Sequence, residues 1–241
     1  MREVTKIENL AVKIFADSAD KNNIFDMHDR SYIKGLTTNP SLMRKAGIVD
    51  YRAFCKEILS VIKIKPISFE VFSDDFSEME RQAMELASLG ENVYVKIPIT
   101  NTQNIHSYRL IEKLVHHNIK LNITAIMTLS QVKEVVSCLD KNTPSYISVF
   151  AGRIADTGRD PLPIMTEAVS ILKSAPKAEL IWASPRELLN IFQANAIGCH
   201  IITVTSDILK KLSLIGYDLD AYSLDTVRMF YDDAVLAGYA L

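Results

Sequence analysis

The sequence predicts an α/β protein, a single-domain (β/α)8 TIM barrel over residues 1–241 with an extra C-terminal helix. Segments with a strand pattern alternate with segments of helical periodicity along the whole chain, which is typical of a parallel sheet. About eight such units occupy 241 residues, near the roughly 250 residues usual for this barrel. A doubly wound open sheet is the alternative, although it usually has fewer units and no GxGxxG motif follows the first strand.

The first half of the chain supplies four strands and the helices between them. Apolar residues at a helical period, such as Phe54 and Ile58, define the helices, and short β-branched runs define the strands. Pro40 pushes Asn39 out of the helical region, so Ser41 is the expected cap of the next turn. In chain order we predict a strand at 12–15, a short helix within 21–31, a strand from 32 to a polar cluster ending at 41, a helix at 51–62, a strand at 67–72, a helix at 76–90 and a strand at 92–99.

The second half continues the alternation and ends in helices. Ser130 is the expected N-cap of one helix, Pro185 suits the first turn of another, and Gly198 is the expected stop of that helix. In chain order we predict a helix at 101–118, a strand at 120–127, a helix at 130–139, a strand at 146–151, a polar loop at 152–161, a helix at 163–174, a strand at 179–183, a helix at 185–195, a strand at 200–205 and helical segments at 206–214 and 223–240.

Composition excludes several classes of protein. The chain is 48% hydrophobic and 23% charged, with 27 Lys and Arg against 29 Asp and Glu, so it gives no reason to expect nucleic acid or membrane as a partner. Its N-terminus is too polar for a signal peptide, and no run approaches the ~18 apolar residues of a membrane span. Cys55, Cys138 and Cys199 are widely spaced, as expected for reduced thiols of a cytoplasmic protein. No Cys/His cluster has the spacing of a metal site.

Lys96 lies in the middle of the nearly continuous apolar run 92–99. Such a run suits a parallel strand that is buried on both faces. Burial of an ammonium group is costly, and one escape is loss of its proton, which leaves an amine that can attack a ketone and form a Schiff base. The alternative is a lysine that extends its charged end to solvent from the end of the strand.

Other polar residues occur within or at the ends of successive predicted strands, about one βα unit apart. In a barrel they would converge on the C-terminal face, where the chemistry sits. Because alternate residues of a strand share a face, three pairs are expected to point into the barrel: Asn122 with Thr124, Ser148 with Phe150, and Trp182 with Ser184. The strand-associated polar residues are Asp17, Asn39, Glu70, Lys96, Asn122, Thr124, Ser148 and Ser184.

Four motifs in this order resemble the transaldolase family, which includes the fructose-6-phosphate aldolases. They are KGLTTNPS at 34–41, YVKIPIT at 94–100, LNITA at 121–125 and YISVFAGRI at 146–154. The resemblance covers about residues 17–186 and implies a barrel that uses a lysine Schiff base and needs neither a metal nor another cofactor. Two departures, Val149 where many members have proline and the residues around Ser184, bear on the exact substrate.

The resemblance also implies a role for each matched residue. Lys96 would form the Schiff base with the C2 carbonyl of a ketose phosphate, and Asp17 would move the C4 hydroxyl proton. Glu70 and Thr124 would hold a water that shuttles protons. The residues implied in sugar binding are Asn39, Asn122 and Ser148, and those at the phosphate-binding positions are Arg153, Ser184 and Arg186. Without the motif, the two arginines would count as solvated surface charges.

Two positions favour transaldolase over aldolase. Transaldolases resemble this chain in carrying Glu at the position of Glu70 and Phe at that of Phe150, where the aldolases tend to carry Gln and Tyr. The expected reaction moves a dihydroxyacetone unit from sedoheptulose 7-phosphate or fructose 6-phosphate to glyceraldehyde 3-phosphate or erythrose 4-phosphate, as in the pentose phosphate pathway. Two alternatives stay open: an aldolase that releases free dihydroxyacetone, and a barrel that binds sugar phosphates without turnover.

The final segment, 224–241, keeps apolar residues to its end, which a frayed terminus would not usually do. We therefore expect it to pack against a neighbouring subunit. Small relatives form rings, so the resemblance implies a ring-based homo-oligomer such as a pentamer or decamer.

Overall fold

Eight parallel strands form a closed barrel in the computed structural model, which describes residues 7–240. Each strand pairs with the next along the chain, and the first pairs with the last. The predicted fold class is therefore confirmed. The strands are β1 (Lys13–Asp17), β2 (Ile33–Thr37), β3 (Ile67–Glu70), β4 (Val93–Pro98), β5 (Leu121–Ile126), β6 (Ser145–Val149), β7 (Ala178–Trp182) and β8 (Ile201–Thr205).

Helices follow the strands and cover the barrel. The last of them, α11, comes after the unit of β8 and is the extra C-terminal helix that the sequence predicts. The helices are α1 (Lys21–Asp29), α2 (Pro40–Lys45), α3 (Tyr51–Val61), α4 (Phe76–Ala87), α5 (Tyr108–His116), α6 (Leu129–Cys138), α7 (Ala151–Asp156), α8 (Leu162–Leu172), α9 (Leu189–Ala196), α10 (Ser206–Leu209) and α11 (Leu219–Leu236). Short 3-10 turns occupy Ile7–Asn9 and Lys210–Leu214.

The apolar core has two layers because neighbouring residues of each strand face opposite sides. The larger layer lies between the strands and the helices; Val95 and Ile97 of β4, for example, pack with helix residues such as Met79. The smaller layer is inside the barrel and includes Ile181 and Ile201. Tyr94 and Lys96, which alternate with the outward valine and isoleucine, therefore point inward.

Aromatic side chains fill the N-terminal half of the barrel interior. The rings of Tyr94 and Tyr146 stack with centroids 4.0 Å apart, and Phe15 meets Tyr146 edge-on at 5.7 Å. Gly35 makes room for Phe15, since a Cβ atom there would lie 2.5 Å from the phenyl Cζ. Below them Lys13 Nζ pairs with Glu179 Oε1 at 2.6 Å. We call Phe15, Tyr94 and Tyr146 the aromatic floor, because they close the barrel beneath its C-terminal half.

The predicted helix at 101–118 is wrong in its first part, since α5 begins only at Tyr108. The Asn101 side-chain oxygen accepts hydrogen bonds from the backbone N–H of Gln103 (3.1 Å) and of Ile105 (2.9 Å). A side chain that bonds nearby backbone in this way competes with the helix. Ile105, which the periodicity assigned to the apolar face, is accordingly exposed.

Capping side chains set other boundaries that the sequence analysis placed wrongly. Asn39, not Ser41, caps α2 by accepting from the Leu42 N–H at 2.9 Å. Thr128, not Ser130, caps α6, where it forms a reciprocal capping box with Gln131. These caps satisfy N–H groups that the first helical turn leaves without partners.

Three further boundaries differ from prediction. The supposed polar loop at 152–161 contains α7. Helix α9 begins at Leu189 rather than at 185, because Asn190 Oδ1 accepts from the backbone N–H of Arg186 (2.8 Å) and of Glu187 (3.2 Å). Helix α11 begins at Leu219 rather than at 223, because Asp218 caps it.

None of the α11 side chains in the described chain is buried. Large apolar side chains are exposed along it, among them Val227 at 60% and Phe230 at 62%. Within residues 7–240 no helix has both the length and the apolar character needed to cross a lipid bilayer.

Candidate active site

A cavity of about 710 Å³ opens at the C-terminal ends of the strands. This is the end at which barrel enzymes carry their chemistry. All eleven residues singled out from the sequence line it: Asp17, Asn39, Glu70, Lys96, Asn122, Thr124, Ser148, Phe150, Arg153, Ser184 and Arg186.

Lys96 is buried at the bottom of the cavity. Its Nζ lies 3.1 Å from Glu70 Oε2 and donates to the backbone oxygen of Thr38 at 3.1 Å. Glu70 and Lys96 are register partners on β3 and β4, so the pairing of the strands brings the two charges together. The side chain of Lys96 is only 8% exposed. It therefore does not extend its charged end to solvent, which was the alternative interpretation of a lysine in this strand. An amine beside a carboxylate has a proton acceptor at hand.

Asp17 ends β1 and is fixed by the end of β2. Thr37 Oγ1 donates to Asp17 Oδ1 at 2.8 Å, and Asn39 Nδ2 approaches Oδ2 at 3.4 Å. Burial raises the pKa of the Asp17 carboxyl, while the positive charge of Lys96 and the Thr37 hydrogen bond act in the opposite direction. A carboxylate with a raised pKa is a better proton acceptor, which suits general base chemistry.

Asn122 and Ser148 belong to a buried hydrogen-bond chain. Ser148 Oγ donates to Asn122 Oδ1 at 2.7 Å, and Asn122 Nδ2 donates to Ser68 Oγ at 2.9 Å. The Ser148 proton is thus used, so its remaining lone pairs can accept from a ligand hydroxyl. Asn122 keeps one N–H for a ligand acceptor.

The hydroxyl group of Thr124 is buried in the cavity wall. Among the described residues its Oγ1 has no hydrogen-bond partner. A buried unpaired hydroxyl is uncommon and is available to a bound molecule. The next residue, Ala125, has a left-handed backbone (φ 62°) at a shift of register between β5 and β6.

Arginines stand on the β6 and β7 side of the cavity mouth. The Arg153 guanidinium lies 5.8 Å from the ring centroid of Phe150, within the range of a cation–π contact. Arg186 Nε donates to Asp156 Oδ1 at 3.0 Å, and its Nη2 donates to Asp156 Oδ2. The Nη1 group of Arg186 therefore stays available to an anion.

Gly152 allows β7 to approach α7. A Cβ atom on Gly152 would lie 1.5 Å from the backbone oxygen of Ser184 and 3.2 Å from Arg186 Nε. Ser184 itself has a left-handed backbone with φ 58°. This break in strand geometry corrects one prediction: Trp182 packs in the outer core layer rather than inward, although Ser184 does reach the cavity.

Three residues that contact the site residues were not predicted from the sequence. Thr37 and Thr203 line the cavity, with their Oγ1 atoms 2.5 Å apart, and Ser68 holds Asn122. Strand alternation offered a signal for two of them, since Thr37 is two residues before Asn39 and Ser68 is two before Glu70. Across residues 7–240 no group of three or more His, Cys, Asp or Glu side chains is arranged to hold a metal ion.

The family model described as Transaldolase/Fructose-6-phosphate aldolase matches residues 14–236. The chain belongs to this family. Relatives include probable transaldolases of Thermoanaerobacter sp. (strain X514), 35% identical, and of Clostridium kluyveri (strain NBRC 12016), 34% identical. Each alignment covers 83% of this chain and 89% of the relative. Family and relatives together indicate a transaldolase-like enzyme.

Solved structures support the fold alone. The tryptophan synthase α subunit of Campylobacter jejuni superposes with a TM-score of 0.56 at 18% identity, covering 85% of this chain and 90% of that one. Mandelate oxidase with benzoyl-formic acid gives 0.55 at 12% identity, covering 85% and 70%. At such identities the likeness extends to the barrel and not to the chemistry.

Proposed function

We propose that this member of the transaldolase/fructose-6-phosphate aldolase family is a transaldolase that carries a dihydroxyacetone unit on Lys96. One observation carries the proposal: a buried lysine lies 3.1 Å from Glu70 in a cavity that Asp17 also lines. Binding a sugar phosphate requires neither a buried amine nor two carboxylates beside it, whereas Schiff-base chemistry uses all three.

Formation of the Schiff base comes first. Lys96 gives up a proton to Glu70, and its nitrogen adds to the C2 carbonyl of the ketose phosphate. Loss of water then yields the iminium. Glu70 and the unpaired hydroxyl of Thr124 can hold that water and move its protons, in this step and in the later hydrolysis.

Cleavage of the C3–C4 bond follows. The Asp17 carboxylate takes the C4 hydroxyl proton, and the electron pair of the C3–C4 bond moves to the iminium nitrogen. An aldehyde leaves, and an enamine stays on Lys96. Addition of a second aldehyde reverses these steps, with Asp17 returning the proton, and hydrolysis then releases the new ketose.

Three polar residues that line the cavity, Asn39, Asn122 and Ser148, orient the three-carbon unit. Asn39 lies beside Asp17, while Asn122 and Ser148 lie deeper and offer one donor and one acceptor respectively. This arrangement suits neighbouring hydroxyls of a ketose, and it holds the reacting atoms in place.

The mouth of the cavity suits a phosphate. Arg153, Ser184 and Arg186 stand together there, and a guanidinium can give a phosphate two parallel hydrogen bonds. Donors of the fructose 6-phosphate or sedoheptulose 7-phosphate type, and acceptors of the erythrose 4-phosphate or glyceraldehyde 3-phosphate type, place a phosphate at the end remote from the carbonyl.

Borohydride trapping tests the proposal. Reduction in the presence of fructose 6-phosphate, followed by peptide mass spectrometry, should find the three-carbon unit on Lys96. Lys96→Ala should lose both the label and turnover. Lys120→Ala is the matched control, because Lys120 is half-buried near the aromatic floor, 5.8 Å from the Tyr94 ring, and should keep both. A label on another lysine, or no label at all, would contradict the proposal; the latter would favour a barrel that only binds sugar phosphates.

An aldolase that releases free dihydroxyacetone is the second candidate within the family. Phe150 favours transfer, because it has no hydroxyl to activate the water that would release the unit. Dihydroxyacetone formation without an acceptor, compared with transfer to erythrose 4-phosphate, distinguishes the two.

Assembly and location extend the proposal. The exposed apolar residues of α11 support a homo-oligomer, in which this helix packs on a neighbouring subunit. The three cysteines are free, as is usual in the cytoplasm, and the proposed reaction would belong to the pentose phosphate pathway.

A further inference from the structure

Two threonines from distant parts of the chain form a hydrogen-bonded pair beneath Asp17. Thr37 ends β2, and Thr203 lies in the middle of β8. Both are buried, and their Oγ1 atoms are 2.5 Å apart. Thr37 Oγ1 also lies 2.8 Å from Asp17 Oδ1. The three side chains thus form a line that begins in the barrel wall and ends at the carboxyl group.

The chemistry of the three groups fixes which one is the donor in each hydrogen bond. An ionised carboxylate only accepts hydrogen bonds, and a threonine hydroxyl has one proton. Thr37 must therefore give its proton to Asp17 Oδ1, which leaves its oxygen as an acceptor. Thr203 must then be the donor between the two threonines. Donation to Thr37 polarises its hydroxyl and strengthens the bond that it makes to Asp17.

The two oxygens of Asp17 differ as a result. Oδ1 receives a hydrogen bond of 2.8 Å, whereas from residues 7–240 Oδ2 receives only the 3.4 Å approach of Asn39 Nδ2. The less solvated oxygen is the stronger base. We propose that Thr203, acting through Thr37, is a positioning residue that makes Oδ2 the oxygen that accepts the substrate proton. This inference rests on the proposed function, in which Asp17 takes the C4 hydroxyl proton as the C3–C4 bond breaks.

The surroundings of Asp17 determine what a pH profile will report. Burial raises the pKa of its carboxyl, and the Thr37 hydrogen bond opposes that effect. Loss of the hydrogen bond should raise the pKa further, so that more of the carboxyl is protonated near neutral pH and the acid limb of the cleavage rate moves to higher pH. The other charged groups that line the same cavity are Glu70, Lys96, Lys45, Arg153, Arg186 and Asp207.

A double-mutant cycle tests the proposal. Thr203→Val and Thr37→Val keep nearly the shape of threonine but lack the hydroxyl. Thr37→Val should lower the cleavage rate of fructose 6-phosphate at neutral pH about tenfold, because it removes a hydrogen bond to a charged group. Thr203→Val should lower it about threefold and move the acid limb by about half a pH unit upward, since it acts one bond away. In the Thr37→Val background, Thr203→Val should have no further effect.

Two more variants separate structure from positioning. Thr203→Ser keeps the hydroxyl and should restore the wild-type pH profile, while Thr203→Ala replaces Thr203→Val if the latter does not fold. Borohydride trapping of added dihydroxyacetone on Lys96 needs no C–C bond cleavage and hence no proton transfer by Asp17, so it should stay normal in every variant. A Thr203→Val profile that superimposes on wild type would overturn the inference. So would an equal shift with and without Thr37, because Thr203 would then act on its own.

Asp17→Asn keeps the inference and the proposed function apart. If Asp17→Asn cleaves fructose 6-phosphate at the wild-type rate, the proposed role of Asp17 fails, and the inference fails with it. If Asp17→Asn is inactive while Thr203→Val leaves rate and pH profile unchanged, only the inference fails.

Discussion

Replacing Gly152 with alanine should damage phosphate recognition while leaving the Schiff base intact. Gly152 lies in the first turn of α7, directly against the backbone at the end of β7. The new Cβ atom would be 1.5 Å from the Ser184 backbone oxygen. Real Cβ contacts are essentially never closer than 3.0 Å, so one of the two segments must move by about 1.5 Å.

That movement falls on the groups proposed to bind phosphate. Ser184 and Arg186 follow β7, and Arg186 is also tied to Asp156 of α7. A displacement of ~1 Å at a positioning group can cost about 100-fold in rate. We expect kcat/KM for fructose 6-phosphate to fall by about this factor. For unphosphorylated fructose, which does not use the site, the fall should be less than about threefold. Overpacking should also lower the free energy of unfolding by about 1–3 kcal/mol.

Gly158→Ala is the matched control. Gly158 is two residues beyond the end of the same helix, has a left-handed backbone (φ 77°), and has no atom within 4 Å of a built Cβ. Its replacement should cost about 1–2 kcal/mol of backbone strain without altering the phosphate site. Steady-state kinetics on both sugars and thermal unfolding of both variants measure these effects. Equal losses on fructose and fructose 6-phosphate in Gly152→Ala, or wild-type kinetics on both, would refute the reasoning.

Three other predictions follow from the site and from α11. Phe150→Tyr adds one hydroxyl at nearly constant volume, so acceptor-free release of dihydroxyacetone should rise and transfer to erythrose 4-phosphate should fall, by roughly 10²–10⁴-fold in their ratio; wild type that already releases faster than it transfers would contradict the choice of transaldolase. Exhaustive EDTA treatment should leave activity intact, because in the proposed mechanism a Lys96 iminium is the electron sink; a loss that a divalent ion restores would point to a metal-dependent aldolase. Sedimentation at micromolar concentration should give an oligomer, and charged replacements of Val227 and Phe230 should weaken it; a wild-type monomer would rule out the proposed packing of α11.

The sequence predicts the barrel well because its signals are local and repeated. The convergence of Glu70 and Lys96 on one end of the barrel also followed, since both belong to successive strands of a parallel sheet, but their ion pair was not predicted. The same alternation rule placed Trp182 wrongly. The rule assumes an unbroken strand in which Trp182 and Ser184 share a face. The left-handed backbone of Ser184 breaks that alternation, so Ser184 reaches the cavity while Trp182 faces outward.

Contacts between distant segments were beyond prediction. Thr37 and Thr203 are separated by 166 positions; strand alternation offers a signal for Thr37, but nothing in the sequence pairs it with Thr203. The ion pair of Asp156 with Arg186 depends on α7, a helix that the sequence analysis read as loop. The predicted helix caps were wrong for a related reason. Asn39 and Thr128 each have a serine two residues later that could also cap the helix, and the path of the preceding strand decides which residue takes the cap position.

The aromatic floor has a consequence for the timing of catalysis. Because Phe15, Tyr94 and Tyr146 close the barrel beneath Lys96, a molecule that reaches the lysine must leave by the way it came. If both aldehydes also place their phosphates at the same arginines, the first must depart before the second can enter. Reciprocal plots of initial rate at several fixed acceptor concentrations should then be parallel, and the first aldehyde should compete with the acceptor. Under the proposed function, closure of one end of the barrel thus sets the order of events: the three-carbon unit stays on Lys96 between departure of the first aldehyde and entry of the second.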